Sequence, residues 1–212
     1  MKYKVNEIFY SIQGEGVRAG TANVFIRMSA CNLDCKVKTH SFDCDTDFDT
    51  GKMMTATDIV KECHRLWPPG PSVSAKSVVI TGGEPLLQVK DRPGDGEMVG
   101  DQLVEELKKL GWYIAIETNG TQPVPKNIDW VCVSPKVDEE KIIPRAANEV
   151  KFVVADGGRL PPTHIFSPNY LVSPASNKKT LSDRDVQWCL RLVLNNPRWR
   201  LSMQQHKIWR VR

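Results

Sequence analysis

Residues 76–85 read Lys76-Ser77-Val78-Val79-Ile80-Thr81-Gly82-Gly83-Glu84-Pro85. The short β-branched run Val78-Val79-Ile80 has the pattern of a strand covered on both faces, as in a parallel sheet. It ends abruptly in Thr81-Gly82-Gly83. Two glycines at a strand end let the backbone approach a ligand closely, because no Cβ intervenes. Glu84 adds an acceptor for an ammonium group. Taken alone, Gly-Gly-Glu-Pro is equally a turn sequence.

Outward from this strand the pattern alternates. Residues 22–29 (ANVFIRMS) read as a strand. Residues 55–66 (TATDIVKECHRL) read as a helix with Thr55 or Thr57 as N-cap. Residues 98–110 (MVGDQLVEELKKL) read as an amphipathic helix closed by Gly111. Short strands follow over 112–118, 129–135, 149–155 and 169–174, with no helix between the last three. A third helix, 182–196, is capped by Ser182 or Asp183 and stopped before Pro197, and a last strand covers 199–207. Strands alternating with helices predict an α/β fold with a largely parallel sheet. The chain is too short for a complete eight-fold barrel. An open, partial β/α barrel of about six strands and three main helices is expected, in a single domain over residues 1–212. Ligands gather at the C-terminal strand ends of such folds. Four of these ends are polar: Thr81 to Pro85, Glu117-Thr118-Asn119-Gly120, Ser134-Pro135-Lys136 and Ser173-Pro174-Ala175-Ser176. Four such ends on one sheet edge favour a pocket over four unrelated turns.

The strand over 22–29 leads into SACNLDCKVKTHSFDCDTDF, which carries Cys31, Cys35 and Cys44. Three clustered thiolates suit a soft metal or an iron–sulfur cluster. Three ligands rather than four would leave one iron of a [4Fe–4S] cluster open. A zinc site completed by His40 and a set of buried thiols are the competing readings. Cys63, Cys132 and Cys189 lie singly in apolar or amphipathic segments and read as core residues.

Composition narrows the classes. The 212 residues are 41% hydrophobic and 25% charged, as in soluble globular domains. No apolar run approaches membrane-spanning length, and MKYKVNEIFYSIQGEG lacks the apolar core of a signal peptide. A cytoplasmic protein is expected, and six cysteines there point to metal or catalysis rather than disulfides. A net charge of +4 is too small to imply nucleic-acid binding.

The cysteine loop and Thr81-Gly82-Gly83-Glu84-Pro85 together resemble the radical S-adenosylmethionine superfamily. The usual Cys-x3-Cys-x2-Cys loop keeps its first spacing here, but eight residues precede Cys44. The more specific resemblance is to the 7-carboxy-7-deazaguanine synthase family and spans the whole chain. It rests on Phe9-Tyr10-Ser11-Ile12-Gln13-Gly14-Glu15-Gly16, Phe25-Ile26-Arg27, Cys44-Asp45-Thr46-Asp47 and the polar strand ends in order. It is completed by Leu201-Ser202-Met203-Gln204-Gln205-His206-Lys207 near the C-terminus.

The resemblance implies a [4Fe–4S] cluster on Cys31, Cys35 and Cys44, whose open iron chelates S-adenosylmethionine. Reductive cleavage of that cofactor yields a 5′-deoxyadenosyl radical. Cofactor contacts are implied for Gly83 and Glu84 at the methionyl end, and for Asp43, Asp45, Ser134, Pro135, Lys136, Ser173 and Ser176 elsewhere. The implied substrate is 6-carboxy-5,6,7,8-tetrahydropterin. Gln13, with the backbone of Ile12 and Gly14, would meet the pterin edge, and Glu15 belongs to the same motif. Arg27 would pair with the substrate carboxylate, Thr81 would touch substrate, and His206 with the terminal carboxylate of Arg212 would close the site. Thr46 would help hold Mg²⁺. The family also implies an electron donor such as flavodoxin or ferredoxin, a homodimer, and no direct partnership with nucleic acid or membrane. A glycyl-radical activase would share the cluster but need neither terminal motif. A zinc-stabilised binding module is the alternative outside enzymes.

Overall fold

The structure is a computed structural model describing residues 1–36, 44, 49–70, 76–94, 98–176 and 181–211. Five of the expected functional positions, His40, Asp43, Asp45, Thr46 and Arg212, lie outside the described residues.

Among the described residues nine strands form the main sheet. They are β1 (Lys2–Ile12), β2 (Ala22–Met28), β3 (Lys52–Thr55), β4 (Ser77–Gly82), β7 (Tyr113–Thr118), β8 (Trp130–Val133), β9 (Glu149–Val154), β10 (Tyr170–Pro174) and β11 (Trp199–Leu201). A separate hairpin pairs β5 (Arg92–Pro93) with β6 (Met98–Val99). The order across the sheet is β11-β10-β9-β8-β7-β4-β2-β1-β3. From β2 to β11 every pairing is parallel, while β1 runs antiparallel to both β2 and β3. Among the described residues no ladder joins β11 to β3, so the barrel is open as expected. The sheet is larger than expected, because β1 and β3 extend one side.

Among the described residues there are four α-helices: α1 (Ala56–Leu66), α2 (Gln102–Lys109), α3 (Asp183–Asn195) and α4 (Gln205–Trp209). Thr55 caps α1, its hydroxyl accepting from the Asp58 amide at 3.2 Å. Burial of Ile59, Val60 and Cys63 gives α1 one apolar face. The second helix begins at Gln102 and not at residue 98. Asp101 accepts from the amides of Leu103 and Val104 and fixes the start. Met98 and Val99 belong to the hairpin instead. The last expected strand stops at Leu201, and residues 205–209 turn into α4.

Side-chain parity decides which face does what. Val78, Ile80, Ile114 and Ile116 point to the face covered by α1 and α2, packing with Ile59, Leu103 and Leu107. A second core gathers Val133, Val150, Phe152 and Val172 with Cys189 of α3 and Trp199. The opposite parity on β1, β2, β4 and β7 gives a smaller apolar row, Phe9-Phe25-Val79-Ala115. These four are register partners, Phe9 with Phe25, Phe25 with Val79 and Val79 with Ala115. Two residues further along each strand the same parity yields Glu7 paired with Arg27, Arg27 with Thr81, and Glu117 with Cys132. An apolar row therefore lies beside a row of charged and hydroxyl groups on this inner face. Cys63, Cys132 and Cys189 are buried, as expected.

Candidate active site

That polar row opens into a cavity of about 520 Å³. Its walls include Ile12, Gln13, Gly14, Glu15, Arg27, Thr81 and His206, so every described residue expected at the substrate meets here. Asn6, Glu7, Phe9, Phe25, Glu117 and Gln204 also line it, six residues that the motifs alone do not assign to the substrate. Phe9 and Phe25 stack 5.1 Å apart and make a flat apolar wall. Glu7 accepts from Arg27 Nε at 2.8 Å. That contact engages the inner guanidinium nitrogen, so a bound carboxylate would meet the outer pair.

The N-terminal motif is held by its own side chains. Gln13 donates through Nε2 to Glu117 at 2.9 Å and accepts the Glu15 amide at 3.2 Å. Its amide is thus occupied in aiming Glu117. Thr81 donates to the other Glu117 oxygen at 3.1 Å. A carboxylate has about four acceptor sites, so Glu117 keeps capacity for substrate N–H groups. Glu15 forms an ion pair with Lys151, and Gln204 donates to it at 2.7 Å. Burial raises its pKa, but the adjacent Lys151 ammonium and these hydrogen bonds outweigh that and hold it at about 2. Gly14 is where α4 comes down: a Cβ there would fall 2.3 Å from His206 Nδ1. The Gln205 amide donates to Gly14 oxygen at 2.9 Å, so the C-terminal segment roofs the cavity.

A second cavity, of about 200 Å³, adjoins the first at the C-terminal strand ends. Cys31, Cys35 and Cys44 line it, with Gly82, Gly83, Ser134, Lys136, Lys151 and Ser176. The Cys44 amide donates to Cys35 oxygen at 3.1 Å, so despite the longer spacing these two cysteines lie together and line one cavity. Asn32 moors this loop to the end of β7 through Asn119 and Thr121 at 3.0 and 2.8 Å. A Cβ on Gly83 would lie 2.2 Å from Ala30 oxygen and 2.9 Å from Cys31 Cβ, so only glycine lets the two loops meet. Burial raises the pKa of the Cys31 and Cys35 thiols. Burial also brings Lys136 down to about 8.

The donor set fits an iron–sulfur cluster. It offers three soft sulfurs on one cavity, beside a glycine pair whose bare backbone leaves room. Among the described residues no three His, Cys, Asp or Glu side chains converge on a single-ion site. A cluster that takes one thiolate per iron does not need its donors to converge on one point.

Three expected cofactor residues stand elsewhere. Glu84 is fully buried and does not line the cavity. Its carboxylate accepts from Thr118 Oγ1 at 2.8 Å, Asn119 N at 2.7 Å and Leu86 N at 3.0 Å. It ties the end of β4 to that of β7, and burial raises its pKa. Ser173, 2% exposed, is also off the lining, and so is Pro135. Ser134, Lys136 and Ser176 are on it, with Lys136 donating to Ser134 oxygen at 3.0 Å. Thr81, Glu117 and Gln204 line both cavities and form the wall between them.

No family model matches the chain. Full-length relatives do. The 7-carboxy-7-deazaguanine synthase of Bacteroides thetaiotaomicron is 40% identical, with 100% of both chains covered. That of Burkholderia multivorans is 40% identical over 98% of each chain. The crystal structure of QueE from Escherichia coli superposes with a TM-score of 0.65 at 24% identity, covering 96% of this chain and 94% of that one. The open β/α fold with its cysteine-lined cavity is that of a radical S-adenosylmethionine enzyme. The chain belongs to the 7-carboxy-7-deazaguanine synthase family. Among the described residues no helix is long and apolar enough to cross a membrane.

Proposed function

We propose that this chain converts 6-carboxy-5,6,7,8-tetrahydropterin to 7-carboxy-7-deazaguanine with loss of ammonia. The observation that carries the reading is the shared wall. A heterocycle-sized cavity with charged ends abuts a three-cysteine cavity across Thr81, Glu117 and Gln204. Full-length relatives bearing that synthase name support it.

Cys31, Cys35 and Cys44 would hold the [4Fe–4S] cluster, leaving one iron for S-adenosylmethionine. When bound, the two supply hydrogen abstraction from the substrate. The backbone of Gly82 and Gly83 would meet the methionyl end, and Ser134, Lys136 and Ser176 would form the opposite walls. Arg27 pairs with the pterin carboxylate, its guanidinium aimed by Glu7. Glu117 and the ionised Glu15 accept from the N–H groups of the amide-like face. Phe9 and Phe25 pack against the ring, and α4 with His206 excludes water. A Mg²⁺ ion at Thr46, a flavodoxin- or ferredoxin-type donor and a homodimer complete the reading.

Anaerobic incubation of iron- and sulfide-reconstituted protein with the pterin, S-adenosylmethionine, Mg²⁺ and a reductant tests it, with mass spectrometry of the products. The reading expects 7-carboxy-7-deazaguanine. Cofactor cleavage without that product would keep the superfamily and overturn the substrate. Tightly bound zinc with no cluster would overturn both.

A further inference from the structure

A continuous line of side chains crosses from one cavity to the other, and Gln204 is its centre. Its Nε2 donates to Glu15 Oε1 at 2.7 Å on the substrate side. Its Oε1 accepts from Ser176 Oγ on the cofactor side. Ser176 Oγ in turn accepts from Lys207 Nζ at 2.8 Å. The remaining Glu15 oxygen pairs with Lys151, whose side chain is 8% exposed and lines the cofactor cavity. The neighbours fix the amide's orientation: turned over, its carbonyl would face the Glu15 carboxylate. With both ends engaged, the amide cannot turn without giving up two hydrogen bonds. Gln204 is also the N-cap residue of α4, so the helix that roofs the substrate cavity starts from this pin.

We propose that Gln204 is a positioning residue that sets Glu15 for the pterin and Ser176 for the cofactor in one arrangement. Seating of the two ligands is thereby coupled. The proposal rests on the reading that the larger cavity holds the pterin. Gln204 acts through Glu15 and Ser176, and its loss leaves the cluster ligands untouched. What it removes is the fixed direction of the Glu15 carboxylate, while Lys151 still keeps that carboxylate ionised.

The test uses reconstituted Gln204→Leu and Gln204→Glu. Pterin affinity is measured at equilibrium with S-adenosylmethionine present and no reductant, so that no turnover occurs. Gln204→Leu is expected to weaken binding about tenfold, equivalent to about 1.4 kcal/mol, with unchanged iron content. With reductant added, 5′-deoxyadenosine released per product should rise. Gln204→Glu keeps the size but sets a like charge against Glu15, and should weaken binding further. It carries the test if Gln204→Leu does not fold. Combined with Glu15→Gln, Gln204→Leu should add little further loss, as expected for residues acting as one unit. Wild-type affinity and product ratio in the variants, or strictly additive losses, would overturn the proposal. Unmodified protein that fails to bind the pterin would overturn the underlying reading, and the proposal with it, before any variant is made.

Discussion

Glu84 shows what a single residue contributes when its carboxylate is fully engaged. It receives two backbone amides and the Thr118 hydroxyl in a site with no solvent exposure. Removing the acceptor strands three buried donors, each costing about 1 kcal/mol or more. Glu84→Ala should therefore lose about 3 kcal/mol in urea unfolding, with Glu84→Gln intermediate. A loss below about 1 kcal/mol would show that the carboxylate does not brace the strand ends. Glu15 makes a different prediction. Its folded pKa of about 2 lies below the ordinary 4.5. Its ionised form therefore stabilises the fold fully above about pH 4.5, and this contribution is lost as pH falls through 2. The stability gap between wild type and Glu15→Gln should be largest near neutrality and close across that acid window. A gap that stays constant down to pH 2 would mean Lys151 does not hold the charge. Both residues stood in motifs visible in the sequence, yet their partners did not. Glu84 meets Asn119, and Glu15 meets Lys151 and Gln204, across long stretches of chain that local pattern cannot connect.

At the level of elements, close approach of loops governs the site. Gly83→Ala places a methyl against Ala30 oxygen and Cys31 Cβ. It should lower iron and sulfide per chain after reconstitution, by pushing the cysteine loop away from β4. Gly14→Ala strikes His206 and its backbone nitrogen, at 2.3 and 2.7 Å. It should raise KM for the pterin with cluster content unchanged, because it lifts α4 and leaves the three cysteines in place. The central strands were legible because their apolar runs end in glycine or polar turns. The first strand was harder. Tyr3 and Val5 alternate as a strand should, but a bulge between Val5 and Glu7 breaks the register and hides the continuation. Residues 199–207 read as a single strand from sequence, because nothing in their alternation marks the turn into α4 after Leu201. In the second helix Asp101 was an available N-cap signal, and the apolar Met98 and Val99 obscured it.

Across the whole molecule, an open, mostly parallel sheet carries α1, α2 and α3 on one face and leaves the other face to the larger cavity, roofed by α4. Phe9 and Phe25 of the apolar row and the adjacent Glu7, Arg27, Thr81 and Glu117 line the larger cavity there. Cys31, Cys35 and Cys44 sit at the strand ends beside it. Cys31→Ala, Cys35→Ala and Cys44→Ala should each lose the cluster and all product. Conservative Cys63→Ala and Cys189→Ala changes far from the cavities should keep iron content, read by iron and sulfide analysis. Motifs told where the chemistry gathers, since strand ends in a parallel sheet share one edge. They could not give the inward parity of Glu7 or the bridging place of Gln204, which depend on register and on how the last helix folds back.

The most direct test of the central claim, that cofactor and substrate meet across one wall, is the fate of a deuterium at C6 of the pterin. The two-cavity account predicts deuterium in the adenosyl moiety, recovered as S-adenosylmethionine or 5′-deoxyadenosine, during formation of 7-carboxy-7-deazaguanine. Product formed with no deuterium reaching the adenosyl moiety would contradict it.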